Sequence, residues 1–105
     1  MTSNKKLYRK NGIMINPGTL HPDHHVKILY DGLLNQNGAT HVFAHVGFDK
    51  EWNSERDFPM VKKPNGFEVC IPVEAADTLN LAFKDCANNW DNNSGHNYTF
   101  DIADK

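Results

Sequence analysis

Residues 79–102, LNLAFKDCANNWDNNSGHNYTFDI, contain the pattern on which the fold prediction depends. Large apolar residues stand at every second position in two parts of this stretch: Leu79, Leu81 and Phe83, then Tyr98, Phe100 and Ile102. Because successive side chains of a strand point to opposite faces, each part is predicted to be a strand that buries one face. The intervening residues 85–97 are rich in Asn, Ser and Gly and are predicted to form a loop that carries one large indole, Trp90.

Five further strand candidates precede this stretch, at residues 13–15, 26–30, 40–48, 58–63 and 67–73. Turn signals separate them, and the Asn-Gly pair at 65–66 predicts a hairpin. Residues 33–39 are predicted to be a loop, and residues 74–77 a turn. This spacing predicts an all-β fold, an immunoglobulin-like β-sandwich of about seven or eight antiparallel strands, with residues 1–105 as a single domain.

The strand at residues 40–48 carries an unusual outward stripe. Val42, Ala44 and Val46 share one face and are predicted to point into the core. The opposite face carries His41, Phe43 and His45, and the chain then leads to the second indole, Trp52. A flat aromatic ring with amide and carboxylate neighbours suits a sugar, which offers an apolar C–H face to stack and hydroxyls to bond.

Composition excludes several classes of partner. The formal net charge is −2, so no basic field is present to bind a nucleic acid, and no apolar run is long enough to span a bilayer. We therefore expect an uncharged partner, no nucleic acid and no membrane. Two cysteines, Cys70 and Cys86, are too few for a disulfide scaffold, and we favour two free thiols over one bridge.

The C-terminal stretch resembles a known family. Phe83-Lys84-Asp85, followed by residues 89–93 (NWDNN), Gly95 and Asn97-Tyr98, is similar to the C-terminal signature of the starch-binding carbohydrate-binding modules of family 25 and of the related family 53. The His-containing strand before Trp52 also resembles that family, although Glu51 stands where its members commonly have Gly. The resemblance implies a non-catalytic module that binds α-1,4-glucan.

The candidate binding residues follow from their chemistry and from the resemblance. Trp52 and Trp90 are predicted to be stacking platforms, His45 a ring donor or acceptor, and Asn92 a bidentate amide for adjacent hydroxyls. The two indoles must be inclined to each other, since an α-1,4-glucan curves. Four residues are secondary candidates. Asp91 and Asn93 are favoured in a loop-closing role, whereas His41 and Phe43 either add a subsite or are covered by another segment.

Other functions have weaker support in the sequence. An enzyme would need two carboxylates across a scissile bond, and neither Asp85 with Asp91 nor Glu51 with Glu55 is marked by any motif. No cofactor is expected. The histidine-rich residues 21–25 lack a spacing specific for zinc, so a small metal-binding domain is a weaker alternative. The main alternative is a β-sandwich that binds a partner protein through the same exposed aromatic residues.

The resemblance also bears on the parent protein. Residues 1–12 have no apolar stretch of the kind found in a secretory signal, which favours a cytoplasmic protein if the chain is complete. Starch-degrading enzymes that carry such modules are often secreted, which favours an extracellular location if the chain is excised from one. A catalytic domain, from a glycoside hydrolase or a glucan synthase, is then a further expected partner.

Overall fold

The computed structural model describes residues 7–103, so residues 1–6 and 104–105 of the predicted single domain lie outside the described residues. A 3-10 turn, Arg9–Asn11, precedes the first strand, and one short helix, α1, spans Leu33–Gln36. The strands are β1 (Ile13–Asn16), β2 (His25–Tyr30), β3 (Val42–Phe48), β4 (Asn53–Pro59), β5 (Val61–Lys63), β6 (Gly66–Pro72), β7 (Thr78–Asp85), β8 (Trp90–Asp91) and β9 (Tyr98–Asp101).

The strands form two sheets. One has four strands in the order β1-β2-β6-β5, and the other has the order β4-β3-β7-β8 with β9 also paired to β7. All pairings between these strands are antiparallel. The predicted all-β sandwich is confirmed, with nine strands in residues 7–103 rather than seven or eight.

The core lies between the sheets and is built from the apolar alternation read in the sequence. Each predicted inward set is buried, namely Val26, Ile28 and Tyr30 of β2, Val42, Ala44 and Val46 of β3, Leu79, Leu81 and Phe83 of β7, and Tyr98 and Phe100 of β9. In β6, Phe67 and Ile71 are buried, but Val69 is only partly so. Apolar residues at every second position therefore predict the buried face correctly where that face packs against the opposite sheet.

Three local predictions were wrong. The loop predicted at residues 85–97 contains the two-residue strand β8, which pairs with Phe83 and Lys84 of β7. Residues 58–63 are not one strand, because the chain changes sheets at Met60: β4 pairs with β3, and β5 pairs with β6. The Met60 amide donates to the Val42 carbonyl (2.9 Å) and its side chain enters the core, which marks the crossing. The predicted loop at 33–39 begins with helix α1, held by the amide of Leu34 donating to the Tyr30 hydroxyl (3.0 Å).

The described part of the chain has three further features that bear on the predictions. Within residues 7–103, no helix is long and apolar enough to cross a membrane. Cys70 and Cys86 are both free and exposed. The hairpin predicted at 64–66 is present, with Lys63 of β5 paired to Gly66 of β6.

Candidate functional site

One shallow concavity brings together the main candidates. It lies on the outer face of the five-stranded sheet and encloses about 360 Å³. Its lining residues are His45, Trp52, Ala82, Trp90, Asn92 and Asn97. The structure thus gathers all four of the main candidate residues and adds two that the sequence analysis did not identify, Ala82 and Asn97.

The concavity lies where the pairing of β7 is interrupted. β8 pairs with Phe83 and Lys84, whereas β9 pairs with Leu81 and the residues before it. Ala82 therefore stands opposite residues 92–97, which loop out between β8 and β9. Ala82 lines the concavity, and its small methyl group leaves space that a larger side chain would fill.

Trp52 is positioned by close packing. It lies over Gly47, where an added Cβ would come within 2.3 Å of the indole Cε3, so only glycine admits this pose. The Trp52 backbone has φ of 54°, which is uncommon for a bulky residue. The preceding Asp49 supports the turn, since its carbonyl accepts from the Trp52 amide (3.1 Å) and from Asn80 Nδ2 (2.7 Å).

The two indoles are steeply inclined to each other. The His45 ring stacks on Trp52, with ring centroids 5.4 Å apart and an interplanar angle of 28°. The same ring meets Trp90 at 5.4 Å and 90°. Trp90 is 41% exposed, and Trp52 is half-buried. A ligand in the concavity therefore meets two aromatic surfaces that face in different directions.

Both ring nitrogens of His45 already have carboxylate partners. Nδ1 lies 2.5 Å from Asp57 Oδ1, and Nε2 lies 2.6 Å from Glu55 Oε2. Which ring nitrogen donates depends on the protonation form of the imidazole, and both nitrogens are engaged in these contacts. The predicted role of His45 as a direct hydroxyl partner therefore requires one of these carboxylates to move away, whereas its ring already stacks on Trp52.

Lys84 connects this ionic group to Trp90. Its Nζ lies 2.7 Å from Asp57 Oδ2 and 5.4 Å from the centroid of the Trp90 ring, and Lys84 and Trp90 are paired across β7 and β8. Partial burial raises the pKa of Asp57, but hydrogen bonds from Lys84 and His45 outweigh it and lower the pKa below its usual value. Asp57 is therefore an ionised link between the two aromatic parts of the site.

Asp91 has a structural position. It is 8% exposed, and its carboxylate accepts hydrogen bonds from the hydroxyls of Tyr30 (2.6 Å) and Tyr98 (2.7 Å). Burial, reinforced by the bond to Asp91, raises the pKa of both tyrosines. Because Tyr30 belongs to the other sheet, Asp91 ties the two sheets together directly beside Trp90. Its oxygens are engaged, which leaves it unsuited to pair with Asp85 in acid–base chemistry.

The asparagines of the loop divide their roles. Asn92 Oδ1 accepts from the Gly95 amide (3.0 Å), so its Nδ2 is the group left to donate to a ligand. Asn93 Nδ2 donates to the Asn97 carbonyl (3.1 Å) and closes the loop. Asn93, Ser94 and Asn97 all have positive φ values near 55° to 60°. This conformation is one that asparagine adopts more readily than most residues.

The remaining candidates lie outside the concavity. His41 is exposed, precedes β3 and contacts Thr40. Phe43 lines a different concavity of about 410 Å³ beside Asp57, Pro59 and Lys84. Among the described residues, no group of three or more His, Cys, Asp or Glu side chains could hold a metal ion.

A small β-sandwich that presents two inclined indoles and a donor amide around one concavity has the features of a carbohydrate-binding module. Comparison with known families agrees. Residues 26–81, more than half of the chain, match the family described as starch/carbohydrate-binding module (family 53). The chain therefore belongs to this family, one of the two that the sequence resembles. The matched range includes His45 and Trp52 and ends before Trp90 and Asn92.

One relative is a much longer protein. The chain is 32% identical over 78 residues to an alpha-amylase of Clostridium acetobutylicum (strain ATCC 824). The aligned part is 71% of this chain but 10% of that protein, so the chain spans about a tenth of the relative's length. No solved structure matches the chain.

Proposed function

We propose that this module binds α-glucan, as starch, glycogen or maltooligosaccharides, without catalysing a reaction. The observation that carries the proposal is the pair of steeply inclined indoles, Trp52 and Trp90, around one concavity. Successive glucose units of an α-1,4-linked chain turn their apolar faces in different directions. A flat, parallel pair of rings would suit the straighter chain of cellulose.

In this proposal, three further residues complete the site. Asn92 Nδ2 donates to a glucose hydroxyl, since its Oδ1 is held by Gly95. His45 acts through its ring, which packs between the indoles and is fixed by Glu55 and Asp57. Asn97, at the other side of the loop opening, contributes a second amide. Uncharged amides suit a neutral, hydroxyl-rich ligand.

The affinity of one site should be modest. If an indole covers roughly 100 Å² of apolar sugar surface, burial at about 25 cal/mol per Å² contributes on the order of 2.5 kcal/mol per ring before ordering costs. A dissociation constant between about 1 μM and 1 mM corresponds to about −8 to −4 kcal/mol, so stacking on the two rings alone places the site toward the millimolar end. The amylase relative supports a setting in which the module keeps a catalytic domain on its polymeric substrate.

Affinity electrophoresis tests the proposal. Wild type, Trp52→Ala and Trp90→Ala are run in gels that contain amylopectin, glycogen or a soluble cellulose derivative. We expect wild type to be retarded by the two α-glucans and not by the cellulose derivative, and each Trp variant to lose retardation. Val61→Ala is the control, because Val61 is an exposed apolar residue on β5 of the opposite sheet. Equal mobility of all proteins in every gel would refute the proposal.

The main alternative, a protein-binding sandwich, makes a different prediction. A module that uses Trp52 and Trp90 only to bind a partner protein would not be retarded by amylopectin. Retardation by amylopectin that free maltoheptaose abolishes, and that free cellopentaose leaves unchanged, supports the glucan site. Loss of retardation with both sugars points to general sugar binding instead.

A further inference from the structure

A second groove adjoins the site at Trp90. It encloses about 440 Å³ between helix α1 and the loop that follows β8. Leu33 and Gln36 line it from the helix, and Asn93 and Ser94 from the loop. We name it the α1 groove. Trp90 and Asn92 line both this groove and the concavity that contains Trp52, so the two spaces meet at these residues.

The chemistry of the α1 groove suits the same ligand class as the main site. Leu33 is 52% exposed and gives the groove an apolar contact. Gln36 is exposed, and its side chain has no hydrogen-bond partner among the described residues. Asn93 keeps Oδ1 as an acceptor, since its Nδ2 donates to the Asn97 carbonyl. Lys10 and Asp91 are the charged residues of the lining: both Asp91 oxygens already accept from tyrosines, and Lys10 offers an ammonium donor.

We infer that the α1 groove is an extension of the glucan site, occupied by the glucose units that follow the unit stacked on Trp90. Gln36 and Asn93 bond hydroxyls there, and Leu33 contacts an apolar sugar face. This inference rests on the proposed function, because the chain enters the groove from the site at Trp90. The affinity of the module would then depend on the length of the glucan chain and not only on a terminal disaccharide.

Two other neighbouring spaces fit less well. The concavity at Phe43 shares no lining residue with the Trp52 concavity and contains the Asp57–Lys84 ion pair. The space on the other side of Leu33, which includes Asn37 and Asn89, shares Trp90 but not Asn92. Of these three spaces, the α1 groove is the one that shares both Trp90 and Asn92 with the main site.

Calorimetric titration with maltose through maltoheptaose tests the inference. Once an oligosaccharide is longer than the main site can hold, each further lengthening should increase the affinity of wild type. Gln36→Ala and Leu33→Ala should bind maltotriose as wild type does, but bind maltoheptaose about three- to tenfold more weakly, the loss expected for one polar contact of Gln36 or one apolar contact of Leu33. Asn37→Ala is the matched control, because Asn37 is an exposed amide next to Gln36 that does not line the α1 groove.

The outcomes separate the two proposals. If wild type binds no oligosaccharide, the proposed function fails. If wild type binds maltotriose but gains nothing with length, or if Gln36→Ala keeps the full gain, the α1 groove is not an extension. Equal weakening of short and long ligands would show that the variant acts by moving Trp90, and it also overturns the inference. If Leu33→Ala does not fold, Gln36→Ala carries the test, since its exposed side chain holds no other residue.

Discussion

The two indoles of the site are held by different physical means. Trp52 is held by shape, with its ring against the bare backbone of Gly47 and its turn fixed by Asp49. Trp90 stands more exposed, with a lysine beside its ring and the buried Asp91 next to it in the chain. The position of Trp52, the first platform, therefore depends on the absence of a side chain at Gly47. The position of Trp90, the second platform, depends on Asp91, whose hydrogen bonds also join the two sheets.

The largest effect is expected at Asp91. Asp91→Asn leaves one tyrosine hydroxyl without an acceptor, because an amide nitrogen can only donate. We expect a loss of about 1 to 3 kcal/mol in the free energy of unfolding, together with weaker glucan binding through displacement of Trp90. Urea unfolding and calorimetry measure the two effects. Asp23→Asn, at an exposed position with φ of 67° that asparagine accepts, should change neither. An unchanged stability of Asp91→Asn would contradict the assigned role.

Gly47→Ala should break the first platform while sparing the second. The new methyl group would force the Trp52 ring off the backbone, and we expect about tenfold or greater loss of glucan affinity from the lost stacking. Stability should fall less than in Asp91→Asn, since the displaced ring is at the surface. Calorimetric titration measures the loss.

A double-mutant cycle sharpens this test of Gly47. In a Trp52→Ala background, Gly47→Ala should have no further effect on affinity, because the ring it displaces is already gone. A second, additive loss would show that Gly47 acts through something other than Trp52.

Lys84→Met should have a smaller effect on glucan affinity, acting chiefly beside Trp90. It removes the ammonium beside the ring and the ion pair with Asp57, and we expect roughly two- to fivefold weaker glucan binding, the size of a partly exposed cation–π contact. Lys62→Met is the matched control, because Lys62 lies 5.8 Å from the Phe67 ring on the opposite sheet. Equal effects of the two variants on affinity would argue against a specific role for Lys84.

The smallest expected effect is a pH dependence at Asp57. The pKa of Asp57 is lower in the folded protein than in the unfolded chain. The stability that ionised Asp57 contributes is therefore fully present above the unfolded pKa of about 3.9, and it is lost as the pH falls through the lower folded pKa. Urea unfolding measures the free energy of unfolding at pH 6 and at about pH 3. This free energy should fall slightly less between the two pH values for Asp57→Asn than for wild type. An identical decline in both proteins would mean that Asp57 is not held by Lys84 and His45 in solution.

The sequence predicted those parts of the fold in which one face of a strand meets the core. Alternation located β2, β3, β7 and β9, because burial dictates residue type at every second position. It missed most of β4, whose residues 53–57 are polar and exposed at a sheet edge. It also missed α1, since a single helical turn is too short to show a period.

The site was predictable in its large residues and not in its small ones. Indole, imidazole and amide groups have distinctive chemistry, and the family resemblance placed them in one site. Gly47 and Ala82 carry no such chemistry, yet both occupy outward positions of their strands where a small side chain is uncommon, and that was the available signal. The carboxylate partners of His45 could not be predicted without the register of β3 with β4, which pairs His45 with Asp57.

The gap between β8 and β9 has an evolutionary consequence. Residues 92–97 lie between the β7–β8 pairing and the β7–β9 pairing. They take part in neither, so both pairings form without them. Insertions or substitutions in this segment would therefore alter the concavity while sparing both pairings, provided that the residues at 93, 94, 95 and 97 tolerate positive φ. A library randomised only at these positions is the natural starting point for redirecting the module to other polysaccharides.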